Sequence, residues 1–312
     1  MSIVVTGAIF LDVKGFPSGH FDPTGRNAGT VEYVQGGVSR NIVENIANIG
    51  LDATFLSLTD DSGAGRDAIT HLKKHNVHTD YIECVPGGMG TWLAIFDECG
   101  DVYASISQRP DLTPLKNVLD VHGDEIFSKA DSFLLEIDMD EELVKEFFRY
   151  TQKFRVPVYA AVSNIGIAMR RKEYLRLCSC FVCNLSEASK FFSQDLNSVS
   201  PETLPDRLLM LISDAGIHSM VVTAGKDGCY FASADGARGH LPSMDVRVID
   251  TTGAGDAFFA GTSSALTFGM DLRSACHVGT TLAASVVPTV ASTCSIMDPL
   301  SLGFPKKAIR QK

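Results

Sequence analysis

Short apolar runs alternate with amphipathic, helix-length segments along most of this sequence, and few folds can satisfy that pattern. A run of four to seven apolar residues suits a strand buried on both faces, which demands a largely parallel sheet with helices on either side. Ile3–Ile9 reads as the first such strand. Val38–Gly50 reads as a helix with Ile42, Val43, Ile46, Ala47 and Ile49 on its inner side, followed by strand Ala53–Leu58, helix Gly65–His75 and strand Thr79–Glu83. Ser132–Ile137, Pro157–Val162, Cys180–Cys183 and Ser219–Thr223 continue the series, each run separated from the next by a helix-length segment. The expected class is α/β, with one domain spanning residues 1–312.

Two regions depart from the alternation. Asp12–Val34 holds Gly, Pro, His and Asn without helical period, and Thr30–Gln35 then alternates as an exposed strand would. Residues 91–96 and 102–107 alternate around a turn at Glu98-Cys99-Gly100-Asp101, which predicts a β-hairpin. Both regions follow early strands, so segments 12–36 and 88–108 are expected to build a small sheet covering one end of the main one, as a lid does.

Charge narrows the function classes. Lys and Arg number 27 against 37 Asp and Glu, a formal charge of −10, so no basic footprint for nucleic acid is expected and nothing favours an anionic membrane surface. The 45% hydrophobic and 21% charged fractions are those of a globular chain and exclude a disordered or fibrous one. Met1–Val5 carries no basic residue and runs straight into a strand pattern, and the uncharged stretch Val278–Met297 contains Pro288 and many hydroxyl residues, reading as a buried helix plus a strand. With the eight cysteines mostly inside apolar runs, a cytoplasmic protein with reduced thiols is expected.

The segment Val248–Phe259 (VIDTTGAGDAFF) carries the chemistry. It reads as a strand end, a turn of small residues and an apolar helix. Gly253, Ala254 and Gly255 leave the helix N-terminus uncovered, so its N–H groups are open to an anion at the positive end of the helix dipole. Asp256 falls in the first helical turn beside that site. A carboxylate next to a bound phosphate is electrostatically costly unless it orients or deprotonates an attacking hydroxyl. A lone Asp at a helix start would ordinarily be read as a partner of the dipole; the Gly-Ala-Gly before it shifts the balance.

This segment resembles the C-terminal signature of the ribokinase-like (PfkB) carbohydrate kinases. Gly36–Ala47 (GGVSRNIVENIA) resembles the N-terminal signature of the same family, and Asp60-Asp61-Ser62-Gly63 its next recurring stretch. The resemblance covers nearly the whole chain and implies a three-layer α/β/α fold with a central, mostly parallel sheet and a β-sheet lid. It implies an ATP- and Mg²⁺-dependent kinase in which Asp256 is the base and Gly253, Ala254 and Gly255 form the anion hole. Asp12, Gly36, Gly37 and Asn41 would bind the hydroxyls of a sugar or nucleoside, although a turn and a helix start explain Gly36-Gly37 and Asn41 equally well taken singly. Asn184-Leu185-Ser186-Glu187 resembles the family's Asn-x-x-Glu motif, in which Asn184 and Glu187 would organise Mg²⁺ largely through water; a helix cap with a reciprocal Glu is the alternative, and the two are compatible. Thr223, Gly225 and Gly228 match the nucleotide-binding turn, and Asp250 and Thr252 the positions that hold K⁺ in many members.

Ala28–Asn41, with Gly-Gly-Val and an Arg-Asn pair, is more similar to the pseudouridine kinases than to ribokinases, which implies phosphorylation of the 5′-hydroxyl of pseudouridine. Trp92 and Phe96 on the hairpin are candidates for covering a base. The Asp-Pro pair of that subgroup is replaced here by Ala161-Val162. Ribose, fructose, inosine and a ketosugar acid stay open as acceptors, as does a catalytically idle sugar-binding homologue. Exposed lid edges allow a homodimer. A metal site at Cys178, Cys180 and Cys183 is set aside because a strand points Cys180 and Cys183 to opposite faces. His71 and His75 share a helix face, but no carboxylate follows at a suitable interval, so a solvated helix end is expected there.

Overall fold

The computed structural model describes residues 2–309; Met1 and residues 310–312, the ends of the expected domain, lie outside the described residues. The main sheet starts with β1 (Ser2–Thr6), whose Ile3 and Val5 point to one layer and Val4 to the other, all three almost fully buried. The chain then leaves the sheet as β2 (Phe10–Pro17) and β3 (Gly29–Gly36) and returns through α1 (Val38–Asn48), β4 (Ala53–Thr59), α2 (Gly63–Lys74) and β5 (Ile82–Cys84). After the hairpin β6 (Gly90–Phe96) and β7 (Val102–Gln108) it resumes as α3 (Leu115–Lys129), β8 (Ala130–Glu136), α4 (Glu141–Phe154) and β9 (Val158–Ala161). Two single-turn helices, α5 (Ile165–Ala168) and α6 (Lys172–Leu175), precede β10 (Cys180–Asn184) and α7 (Leu185–Phe192). The last part is α8 (Leu204–Ala215), β11 (Ser219–Thr223), β12 (Cys229–Ser233), β13 (Arg238–Leu241), α9 (Ala254–Thr267) and α10 (Leu272–Val286).

Nine strands form the main sheet in the order β13-β12-β11-β10-β9-β8-β1-β4-β5, parallel throughout except for β12 and β13. Helices α1, α2, α9 and α10 cover one face and α3, α4, α7 and α8 the other. Strand periodicity divides the cysteines as expected: Cys180 packs in the first layer and Cys183 in the second. Each fully buried Ile, Leu or Phe in these layers contributes about 1.5–3 kcal/mol of transfer free energy. Among the described residues, no helix is long and apolar enough to cross a membrane.

A separate four-stranded sheet, ordered β3-β2-β6-β7, sits beyond the C-terminal ends of the parallel strands. Its register sets what each face presents. Asp12 pairs with Trp92 and Trp92 with Ser107, while Tyr33 pairs with Val13, Val13 with Leu93 and Leu93 with Ile106. The first row faces the site; the second row faces outward, with Tyr33 and Ile106 each 70% exposed.

Three sequence expectations need correction. Phe10–Pro17 is a strand, although Gly15 and Pro17 disguise it; its pairing with both β3 and β6 supplies the order that its own pattern lacks. No strand precedes the Gly-Ala-Gly turn. Val248 and Ile249 look β-forming but are solvent-exposed, and the chain is tied by the Ile249 and Asp250 N–H groups donating to the Val287 carbonyl. Residues 287–297 likewise form no strand and run as bends packed over α1, with the Cys294 N–H donating to Asn45 Oδ1 at 2.7 Å.

Candidate active site

In an open parallel sheet the ligand crevice forms outside the carboxyl ends of the strands, where the order switches direction. Here the switch lies between β1 and β8. A cavity of about 500 Å³ opens there, floored by Ala8 and Glu136 at the two strand ends and roofed by Asp12, Trp92 and Ser107 of the small sheet. Gly37 lines it too, at φ +103°, and a Cβ there would lie 2.6 Å from the Ala8 carbonyl oxygen, so only glycine lets α1 start at this point. A Cβ at Gly36 would overlap the Asp12 carboxylate, which therefore packs directly on the backbone.

Asp256 is at the back of this cavity, in the first turn of α9. Its Oδ2 accepts a hydrogen bond from Asn41 Nδ2 at 2.7 Å, and Asn41 Oδ1 in turn accepts from Ser292 Oγ at 3.3 Å. Desolvation pushes the Asp256 pKa up to about 7; the Asn41 hydrogen bond and the Arg40 charge work against the rise, and the charges of Glu136 and Asp12 add to it. A carboxylate poised near neutrality, held by one oxygen with the other unengaged, is equipped to take a proton. Asp12 is also raised, chiefly by burial.

A second cavity of about 620 Å³ lies on the other side of the α9 N-terminus, lined by Thr223, Gly225, Gly228, Thr251, Ala254 and Gly255 among others. Its walls are largely apolar, with Val246, Phe258 and Val287 facing Thr223 and the turn after β11. An ideal Cβ at Gly255 meets nothing within 4 Å, so the α9 terminus is open on this side, whereas the Ala254 N–H is already used by the Thr251 carbonyl at 3.2 Å. The two cavities meet at the turn: Thr251, Ala254 and Gly255 face one, Thr252 and Asp256 the other.

The model of the pfkB family carbohydrate kinases matches residues 1–297. The chain belongs to the pfkB family. The guanosine-inosine kinase of Exiguobacterium acetylicum is 27% identical over 289 residues, covering 91% of this chain and 94% of that protein. The pseudouridine kinase of Escherichia coli K12 is 25% identical over 272 residues, covering 86% and 84%. Among solved structures, the ribokinase of Arabidopsis thaliana in complex with ribose and ATP superposes with a TM-score of 0.81 over 96% of this chain and 97% of that one, at 18% identity. This pfkB kinase is accordingly a phosphotransferase with an alcohol acceptor, the fold is ribokinase-like, and membership implies use of ATP.

Within the pfkB frame, the residues singled out from sequence fall in three groups. Asp12, Gly37, Asn41, Thr252 and Asp256 converge on the first cavity, and Thr223, Gly225, Gly228, Ala254 and Gly255 on the second; Gly36 contributes only by making room for Asp12. Asn184 and Glu187 line neither. They form a reciprocal cap, Asn184 Oδ1 accepting from the Glu187 N–H and Glu187 Oε2 from the Asn184 N–H, both at 2.8 Å. Asn184 nonetheless pairs with Thr223 across the sheet, which keeps the cap beside the second cavity. Asp250 Oδ1 accepts from the Thr252 N–H at 2.8 Å. Phe96 is not a cavity residue: it stacks on Phe16 at 4.5 Å, whereas Trp92 does face the cavity.

Sequence reasoning missed a polar network in the first cavity. Ser163 Oγ lies 3.0 Å from Glu136 Oε2 and 2.9 Å from Asp138 Oδ2, Arg109 Nη1 donates to Asp138 Oδ2 at 3.1 Å, and Ser39 Oγ donates to Glu136 Oε1 at 2.6 Å. Burial, then the neighbouring Asp138, raises Glu136. A readable signal existed: Leu134-Leu135-Glu136-Ile137-Asp138 places two acids at the C-terminal end of a parallel strand, where ligand groups gather.

Proposed function

We propose that this pfkB kinase phosphorylates the 5′-hydroxyl of a ribonucleoside with ATP, pseudouridine being the acceptor that Gly36-Gly37-Val38 and Arg40-Asn41 support. The observation that carries the reading is the pair of cavities abutting at the α9 N-terminus, one for each substrate, with Asp256 on the acceptor side and the Gly255 amide on the donor side. Both volumes are within the range of small-molecule sites. The acceptor oxygen would attack the γ-phosphorus in line, the bond to the ADP oxygen would break, and the hydroxyl proton would pass to Asp256. Charge on the transferring group would be met by the amides of Gly253 and Gly255 and the helix dipole, the Ala254 N–H being taken by the Thr251 carbonyl. Asp12 and Asn41 would orient the ribose hydroxyls, and Trp92 would pack on the base.

Mg²⁺ would neutralise the ATP phosphates. Glu187 suits a role toward it through water: burial, with a smaller contribution from the Asp138 charge, raises its pKa, so a nearby cation would stabilise its ionised form, and the cap fixes its direction. Asp250 and Thr252 form a tight oxygen-rich turn at which we place a monovalent cation, K⁺. The outward row of the lid, with Tyr33, Leu93 and Ile106 exposed, supports a homodimer through that face. Six buried cysteines, none of them bridged, fit a cytoplasmic enzyme.

A purine nucleoside is the second reading, favoured by the similarity to a guanosine-inosine kinase. A coupled ADP-release assay with pseudouridine, guanosine, inosine, ribose, fructose and a ketosugar acid separates the readings. Fastest turnover is expected with pseudouridine; guanosine or inosine in first place establishes the second reading. A free sugar in first place overturns the nucleoside assignment, as does the absence of ADP release with pseudouridine, guanosine and inosine.

A further inference from the structure

The contact between α1 and α2 holds a cluster that the kinase reaction does not use. His71 and His75 stand one turn apart at the end of α2, their rings 4.6 Å apart, and both reach toward Glu44 of α1. His71 Nε2 lies 3.0 Å from Glu44 Oε2, and His75 Nδ1 lies 3.9 Å from Glu44 Oε1. One ligand atom from each of the three side chains falls within 4.8 Å of the others. The carboxylate that the local sequence around the histidines lacks is supplied from 27 residues upstream by helix packing.

We propose that Glu44, His71 and His75 form a binding site for a divalent transition-metal ion of the zinc class. Two imidazoles at i and i+4 on one helix face, with a carboxylate from a neighbouring element, are the donor set that such an ion takes. Ligands about 2.0–2.1 Å from a tetrahedral ion sit about 3.3–3.4 Å from one another; His71 Nε2 and Glu44 Oε2 are already 3.0 Å apart and one ligand atom of each residue lies within 4.8 Å of the others, so side-chain adjustment brings the set to that spacing. The fourth position would be water.

The histidines are not required to satisfy Glu44. Its Oε2 accepts from Arg40 Nη1 at 2.7 Å and its Oε1 from Thr293 Oγ1 at 2.8 Å, so a guanidinium and a hydroxyl already hold a carboxylate that is 2% exposed. Those same partners fix its orientation, as the outer shell of a metal site does. The imidazoles are 38% and 28% exposed, which leaves an entry path from solvent. Binding requires each ligating nitrogen to be deprotonated, so the proton that His75 Nδ1 shares with Asn48 Oδ1 at 2.6 Å must move to Nε2.

The test uses the full-length enzyme with excess Mg²⁺ present, so that the nucleotide site is saturated. Zn²⁺ added in a calorimeter to the protein stripped of transition metals is expected to bind at one equivalent with a micromolar or lower Kd. Co²⁺ is expected to give visible absorption bands of a four- or five-coordinate nitrogen–oxygen site, without intense thiolate charge transfer. His71→Ala and His75→Ala, both at partly exposed positions, should each weaken Zn²⁺ binding at least ~10-fold while leaving far-ultraviolet circular dichroism unchanged. Equal Zn²⁺ affinity in wild type and both variants overturns the proposal, as does a Co²⁺ spectrum dominated by thiolate ligation at the cysteines or no Zn²⁺ binding below ~100 μM. Should one variant not fold, the other and the wild-type Co²⁺ spectrum decide.

Discussion

Asp256→Asn is expected to lose at least ~100-fold in kcat while binding ATP with nearly unchanged affinity, because the substitution removes a proton acceptor from the acceptor cavity and touches nothing on the donor side. The amide can still accept from Asn41 Nδ2 through its oxygen, so the local geometry is kept. The same pKa of about 7 gives a second, independent expectation. Wild-type kcat/KM should rise with pH along a limb with a midpoint near 7 and level off above it, since only the ionised form takes a proton.

Stability should run the opposite way. A carboxyl whose pKa is raised on folding binds its proton more tightly in the native state, so its ionisation at high pH works against folding. The variant should therefore be more thermostable than wild type at pH 8, by up to a few kcal/mol. That gain should shrink as pH falls from 7 toward 4, where the native carboxyl is neutral and its burial no longer costs. Near-normal turnover in the variant, or a loss of thermostability at pH 8, would contradict the assignment.

A contrast between two neighbouring glycines is expected to be nearly as large. Gly253 caps α9 at φ +81°, and a Cβ there would lie 2.1 Å from the Ser292 carbonyl oxygen, a backbone atom that cannot move aside cheaply. Gly253→Ala should cost about 2 kcal/mol or more in stability and lower the Tm by several degrees, with activity falling because the anion-binding turn no longer closes. Gly255→Ala meets no steric obstacle and should leave stability within ~0.5 kcal/mol of wild type. Its methyl group would stand in the donor cavity, so kcat/KM for ATP should drop ~10- to 100-fold. Thermal melts and ATP-dependence of the two variants check the contrast; equal destabilisation by both would show that the turn is not shaped as described.

Features carried by the backbone were readable in the sequence. The Gly-Ala-Gly turn, the Gly36-Gly37 turn and the βα alternation are local, and local conformation follows from residue type. What escaped depends on distant partners. Asn41 and Asp256 are 215 residues apart, and their hydrogen bond follows from α1 and α9 packing side by side. Arg109 and Ser163 come from segments distant from the β8 end that carries Glu136 and Asp138, and only the tertiary fold brings the three segments together. Val248 and Ile249 misled in the other direction, since β-branched residues suggested a strand where no neighbouring strand is available to pair. Glu44 and the two histidines illustrate the same limit: an interval rule along one helix cannot see a carboxylate that arrives from another.

The central claim is that a primary hydroxyl held against Asp256 receives the γ-phosphoryl group. It is tested most directly by comparing the acceptor that gives the fastest ADP release with its 5′-deoxy counterpart, and by locating the phosphate in the product by ³¹P NMR. The account predicts a 5′-monophosphate from the native acceptor and no acceptor-dependent ADP release from the 5′-deoxy compound. Phosphate on another oxygen, or unchanged ADP release from the 5′-deoxy compound, would contradict it.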